Sequence, residues 1–154
     1  MNRINTDKIH LFSINVFKSN LNATDEYLDA PTEPEDIKVG YSQESGFNFD
    51  DKVVRIRLDI QLEGFDEKEK ELGLKGEYGI EFLFRVDNFE EFLEDDEEEP
   101  SESGDEDQKL ISAVLGGTLV GIVYSTARGM ILERTQGTYF NGVILPVINP
   151  KDLL

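Results

Sequence analysis

The chain has 154 residues, a formal net charge of -18, a pI of about 4.3 and no cysteine. Such a surface repels DNA, RNA and anionic lipid headgroups. The missing thiols exclude a disulfide framework, a thiolate zinc site and a thiol nucleophile.

The length allows one domain over residues 1–154, with a modest core that the 38% of hydrophobic residues can fill. Met1 to Lys8 is polar and has no signal-peptide apolar region, so the expected compartment is the cytoplasm. Ile9 to Lys18 is rich in β-branched and aromatic residues and reads as a strand. Phe12, Ile14 and Val16 alternate on one face, with Leu11 and Phe17 on the other. Asn20 to Glu35, with two prolines and several acids, reads as a long loop. Ile37 to Tyr41 alternates again, and Asp50-Asp51 marks a turn.

Val53 to Leu62 is the clearest strand. Val54, Ile56, Leu58, Ile60 and Leu62 share one face, and Arg55, Arg57, Asp59 and Gln61 share the other. One side is core and the other wet, as in an antiparallel sheet. After a charged connection, Gly76 to Val86 places Tyr78, Ile80, Phe82, Phe84 and Val86 inward. Phe89, Phe92 and Leu93 either extend this strand or begin a short helical turn.

Glu94 to Asp107 holds roughly 10 acidic residues and no basic one. It has nothing apolar to bury against the cost of ordering, so the expectation is a disordered loop. Its spacing lacks the ligand positions and glycine of a calcium-binding EF-hand.

Leu110 to Leu132 then contains a single charge, Arg128. Gly116-Gly117 is expected to break or bend this segment, giving a short turn and then a main helix from about Thr118 to Arg134. The stretch is about long enough to span a bilayer, but its glycines and hydroxyls weaken the signal. No basic cluster flanks it, so membrane insertion is not expected. Val120, Val123, Ala127, Met130 and Ile131 form one apolar stripe, and Leu119, Ile122 and Leu132 form another. One can cover the sheet; the other is left for a second subunit or for the tail. Leu119, Ile122, Val123, Ala127, Met130 and Ile131 are the expected oligomer-interface residues. Strands grouped before a helix describe an α+β fold, an antiparallel sheet with a long C-terminal helix on one face.

The chemistry-bearing residues are sparse. The lone histidine, His10, lies in a strand and reads as a packing or surface residue. Gly116-Gly117-Thr118 lacks the lysine and glycine spacing of a phosphate loop. No metal-ligand set or paired-carboxylate motif stands out, so a binding or assembly protein is expected rather than an enzyme, with no cofactor. Tyr139, Phe140, Phe89 and Phe92 fall outside the strand pattern. They either fill the space between helix and tail or line a groove for extended apolar polypeptide.

The last residues carry a resemblance. Ala127-Arg128, Gly137-Thr138-Tyr139, Leu145-Pro146-Val147, Asn149 and Asp152-Leu153, with Leu115-Gly116 ahead of the helix, resemble the end of the SecB export-chaperone family. The resemblance implies a four-stranded antiparallel sheet with a long helix on one face, assembled as a dimer or tetramer. It implies an ATP-independent holdase for non-native polypeptide, with Tyr139, Phe140, Val143, Leu145, Phe89 and Phe92 at the peptide site. In the export chaperone the partner is also the translocase motor; in related SecB-like proteins an antitoxin or other specific client takes its place.

Two features depart from the family. Its second helix has no counterpart before Leu154, and Arg55, Arg57 and Arg85 stand on a sheet face expected to be acidic for translocase docking. The alternative function is an acidic interaction module that binds one dedicated folded partner or antitoxin-type client.

Overall fold

A computed structural model describes residues 3–94 and 110–153. The acidic stretch 95–107 lies outside the described residues. Four strands form one antiparallel sheet: β1 (Ile9–Ala23), β2 (Asp36–Asn48), β3 (Val53–Phe65) and β4 (Glu71–Val86), in the order β1-β4-β3-β2. A short helix α1 (Asp25–Asp29) lies in the β1–β2 connection, capped by the Thr24 side chain, which accepts from the Tyr27 N–H at 3.3 Å. A 3₁₀ turn follows β4 at Phe89–Phe92. β5 (Leu93–Glu94) and β6 (Leu110–Ile111) pair antiparallel and lead into the long helix α2 (Ala113–Thr135). The chain is α+β, a four-stranded antiparallel sheet with a long C-terminal helix on one face.

β3 and β4 form the middle of the sheet, and their alternation is what the pattern predicts. Val54, Ile56, Leu58, Ile60 and Leu62 are buried with Tyr78, Ile80, Phe82, Phe84 and Val86. Their shared face meets Leu115, Leu119, Val123, Ala127 and Ile131 of α2.

Three expectations are corrected. First, β1 runs on to Ala23, because Asn20, Leu21, Asn22 and Ala23 pair with Glu77, Gly76, Lys75 and Leu74 of an equally extended β4. β2 likewise continues to Asn48 along β3.

Second, β1 does not alternate strictly. Its pairing with β4 shifts between Leu11 and Ser13 and again between Val16 and Lys18, so Phe12 and Phe17 each sit in a bulge. Leu11, Ile14 and Val16 therefore pair with the inward Phe84, Phe82 and Ile80. Phe12 is turned outward beside His10, Val53 and Arg85. Phe17 packs against Gly79, where a Cβ would come within 2.5 Å of its ring.

Third, α2 is unbroken through Gly116-Gly117. The Ser112 side chain caps it by accepting from the Leu115 N–H at 3.3 Å, and Leu115 is fully buried. That cap and burial outweigh the roughly 1 kcal/mol that each glycine costs.

By length and composition alone α2 could cross a membrane. Its apolar face instead packs on the sheet. The two stripes read from the sequence merge into one buried face. Leu119, Val123, Ala127 and Ile131, expected at a subunit interface, are core residues of this chain. Ile122 and Met130 are half-buried against the core edge. The reason is geometric: the sheet covers one flank of the helix and the tail covers the next.

Candidate functional site: a groove between the β2 edge and the tail

The tail is turned back at the end of α2 by one buried hydroxyl. Thr135 is fully buried; its hydroxyl donates to the Ile131 carbonyl at 2.7 Å and accepts from the Val143 N–H at 2.7 Å. The Thr135 carbonyl also accepts from the Gly142 N–H at 3.0 Å and from the Thr138 hydroxyl at 2.6 Å. Between them Asn141 and Gly142 adopt φ values of 56° and 84°. Asparagine and glycine are the residues that enter the left-handed region most readily. The reversal is thus encoded by Thr-x₅-Asn-Gly.

From Gly142 the chain runs back along α2, held by two side chains of the helix. Arg128 Nε donates to the Leu145 carbonyl at 3.0 Å, and the Tyr124 hydroxyl donates to the Pro146 carbonyl. The single charge in the apolar segment therefore anchors the tail.

Tyr41 of β2 completes the chain of bonds. Its hydroxyl lies 3.0 Å from that of Tyr124, with the rings edge-on at 5.6 Å. Tyr124 directs its one proton to Pro146, so Tyr41 is the donor between the two hydroxyls. Burial pushes the Tyr41 hydroxyl well above the ordinary tyrosine range, and its hydrogen bond to Tyr124 adds to the shift.

Between this tail and β2 lies an open groove of about 490 Å³. β2 contributes Ile37, Val39 and Tyr41, and the tail contributes Val143, Ile144 and Pro146. Pro34, Glu35 and Asp36 line it where β2 begins. Ile144 is 72% exposed and Val147, just beyond, 82%. The tail alternates: Val143 and Leu145 go into the core while Ile144 stays on the surface. The arrangement is a trough of mixed polarity, with aliphatic side chains on both walls and acids at one end, suited to apolar side chains accompanied by a positive charge.

The six residues expected at a peptide site do not come together. Phe140, Val143 and Leu145 are buried, Phe140 over Gly76 near the β1–β2 connection. Phe89 and Phe92 are buried at the other end of β4, where Phe89 meets Phe47 and Phe49. The ten-residue step from Gly76 to Val86 separates the two groups by roughly 30 Å along the strand. Tyr139 alone is on the surface, 44% exposed and edge-on to Tyr27 of α1 at 5.3 Å. Phe140 packs on the sheet, Phe89 packs against Phe47 and Phe49, and Tyr139 packs on α1, so the four aromatics serve different parts of the fold. Of the six, only Val143 touches the groove. Sequence reasoning missed Ile37, Val39, Tyr41 and Ile144; the alternation in 37–41 was the visible signal for the first three.

Elsewhere His10 Nε2 lies 3.0 Å from Asp87 Oδ2 on the outer sheet face, both about 40% exposed by side chain (42% and 39%). The hydrogen bond from His10, reinforced by Arg85, holds the Asp87 carboxyl below its ordinary range. Among the described residues no group of three or more His, Asp or Glu side chains is gathered as a metal would require.

No family model matches the chain, and no curated protein matches it. Solved structures do. One is the SecB-like chaperone Rv1957 of Mycobacterium tuberculosis, in complex with a ChAD peptide from the Rv1956 HigA1 antitoxin. Its TM-score is 0.54 at 11% identity, covering 93% of this chain and 92% of that one. The fold is SecB-like. A protein of unknown function from Streptococcus agalactiae is similar at TM-score 0.38 and 15% identity, over 90% of this chain and 97% of that one. That weaker likeness carries no argument. At 11% identity the SecB-like likeness concerns the fold alone.

Proposed function

We propose that this protein is a SecB-like holdase. It binds non-native or extended polypeptide, without ATP, metal or cofactor, as a homo-oligomer in the cytoplasm. The observation that carries the reading is the open groove beside β2, walled by aliphatic side chains and Tyr41, in a fold shared with a chaperone that holds a peptide. Client segments gain burial there at about 25 cal/mol per Å², which competes with their aggregation. The groove is open, with aliphatic walls and with acids at Glu35 and Asp36, so basic stretches flanking apolar ones are favoured.

Self-association has separate support. Leu11 and Ile14 of β1 are exposed on the sheet face that α2 covers, and Ile122 and Met130 are half-buried on the helix. A second copy would cover them. The proposal does not extend to the translocase motor. On the outer face Arg57 pairs with Glu81 at 2.8 Å and Arg85 with Asp87 at 3.1 Å, a mixed surface rather than an acidic one.

The antitoxin peptide bound by the M. tuberculosis chaperone favours one narrower variant, a dedicated client of antitoxin type. One experiment separates these readings. An unfolded client is diluted into buffer with stoichiometric protein and no ATP, and light scattering is followed. Suppression that saturates at a fixed ratio for several unrelated clients supports the general holdase. Suppression confined to one client supports the dedicated variant, and none for any client overturns the proposal.

A further inference from the structure

The outer face of the sheet, opposite α2, pairs its bases with acids. Arg57 meets Glu81 at 2.8 Å and Arg85 meets Asp87 at 3.1 Å. Lys18 lies 4.0 Å from Asp59 and 3.9 Å from Glu77, and Lys75 lies 3.6 Å from Glu63. Arg55 stands apart. Its cross-strand neighbours are Leu83 of β4 and Gly46 of β2, neither of which balances a charge. Its Nη2 rests over Gly46, 3.5 Å from where a Cβ would stand. Among the described residues it has no ion pair, and its Nε is shut off from water without a hydrogen-bond partner. The chain has 33 acids for 15 bases, so this is not for want of acids. An unpaired N–H of a charged group away from water is costly, and the cost is removed when an acceptor arrives.

Phe12 is the apolar counterpart of Arg55. Bulges turn both phenylalanines of β1 outward. Phe17 is used within the chain: it packs on Gly79, and its ring centre lies 5.9 Å from the Arg57 guanidinium carbon. Phe12 has no ring or cation contact among the described residues and is 55% exposed. Beside it a hollow of about 390 Å³ opens between His10, Val53 and Arg85. Phe12 and Arg55 flank Leu83 on its β1 and β3 sides. They therefore stand two strand spacings apart, about 10 Å.

We propose that this face docks another protein through an extended segment that sets an apolar side chain in the hollow beside Phe12 and one carboxylate on Arg55. The site shares no lining residue with the groove beside β2 and takes the opposite charge. It is a second interaction surface, separate from client binding. Net charge selects the kind of partner. At -18 the chain repels nucleic acid, anionic membranes and strongly acidic proteins. It does not repel one carboxylate at contact distance, because salt screens charges more than about 8 Å away. A carboxylate accepts from two guanidinium nitrogens at once, so a turn of the Arg55 side chain gives the orphan Nε its acceptor. The pattern that fits is apolar-x-acid. Alternate residues of an extended segment point the same way, about 7 Å apart at the backbone, and a glutamate side chain spans the remainder.

The probe is the blocked tripeptide acetyl-leucine-threonine-glutamate amide. It is titrated up to about 10 mM against the full chain, with backbone amides and arginine Nε–H groups followed by NMR. The Arg55 Nε–H signal should shift together with the amides of residues 10–13 and 53–55. Replacing the probe's glutamate by glutamine, or its leucine by glycine, should weaken binding about tenfold, since each removes one half of the contact. Arg55→Gln and Phe12→Ser should weaken it as much. Lys75→Gln, at the far end of the same face, should change it less than twofold.

Equal binding of the glutamate and glutamine probes, or undiminished binding by Arg55→Gln, would overturn the proposal. So would the absence of any shift at Arg55. The same shift at the same concentration of acetate would reduce the site to a bare anion contact and overturn it as a protein-docking surface. An Arg55 signal that moves with protein concentration alone, with a doubled sedimentation mass that Arg55→Gln abolishes, would assign the face to a second copy and overturn it as well.

Discussion

The two edges of the sheet are of similar length, 15 residues in β1 and 13 in β2, and present opposite surfaces. β1 displays side chains. Its bulges put Phe12 and Phe17 on the outer face, 55% and 51% exposed, while Leu11 and Ile14 remain exposed on the inner one. β2 displays backbone. Its register is unbroken, and its inward side chains slope into a trough whose far wall is the tail. One extra residue in a strand decides which kind of edge results, because a bulge interrupts the spacing that a neighbouring strand must match. An edge with bulges is suited to packing against a preformed apolar surface. A regular edge is suited to an unfolded chain that still needs hydrogen-bond partners.

Substitutions break this comparison at different points. The largest effect is expected at the tail wall of the β2 groove. Leu145→Ala removes a fully buried side chain and should lower stability by about 2–5 kcal/mol in urea unfolding. A loss below 1 kcal/mol would mean that the tail is not docked on the core. Next comes Thr135→Val, which leaves the buried Val143 N–H without an acceptor. It should cost about 1–3 kcal/mol, with faster amide exchange at Gly142 and Val143. Unchanged exchange there would show that the hydroxyl does not hold the turn.

The paired change Ile144→Asp with Val147→Asp touches only exposed side chains. Stability should move by no more than about 0.5 kcal/mol, while suppression of client aggregation is lost. Retained suppression would remove the β2 groove from the function. Leu11→Lys with Ile14→Lys acts on the other edge: the sedimentation mass should fall and client binding should persist. If client binding falls with the mass, the two edges are coupled.

The smallest effect concerns the outer end of β1. Asp87 is held below its ordinary pKa by His10, so its contribution is present above the ordinary carboxylate range and is lost as the pH falls through the lower, folded-state value. Asp87→Asn should flatten the acid limb of the stability curve. An identical acid limb in the variant would show that the pair contributes nothing there.

Much of the fold was legible in the residues. The inward sets of β3 and β4 were assigned residue by residue, since each strand keeps a strict two-residue period with one wet face. Less was legible in β1, where the two phenylalanines break the period and pairing with β4, not alternation, sets the faces. The site was the least legible. Phe140 and Leu145 look like ligand contacts because they are large and fall outside the strand pattern; burial against Gly76 and the sheet makes them core.

By itself the sequence determined the α+β class, the two central strands and the apolar helix. These follow from local rules, the side-chain period of the strands and the long apolar run. Tertiary structure alone decided which apolar residues became core and which became surface. That choice depends on what lies opposite each side chain, such as α2 over the sheet, the tail over α2, and the C-terminal turn Pro150–Leu153 against α2 and β2.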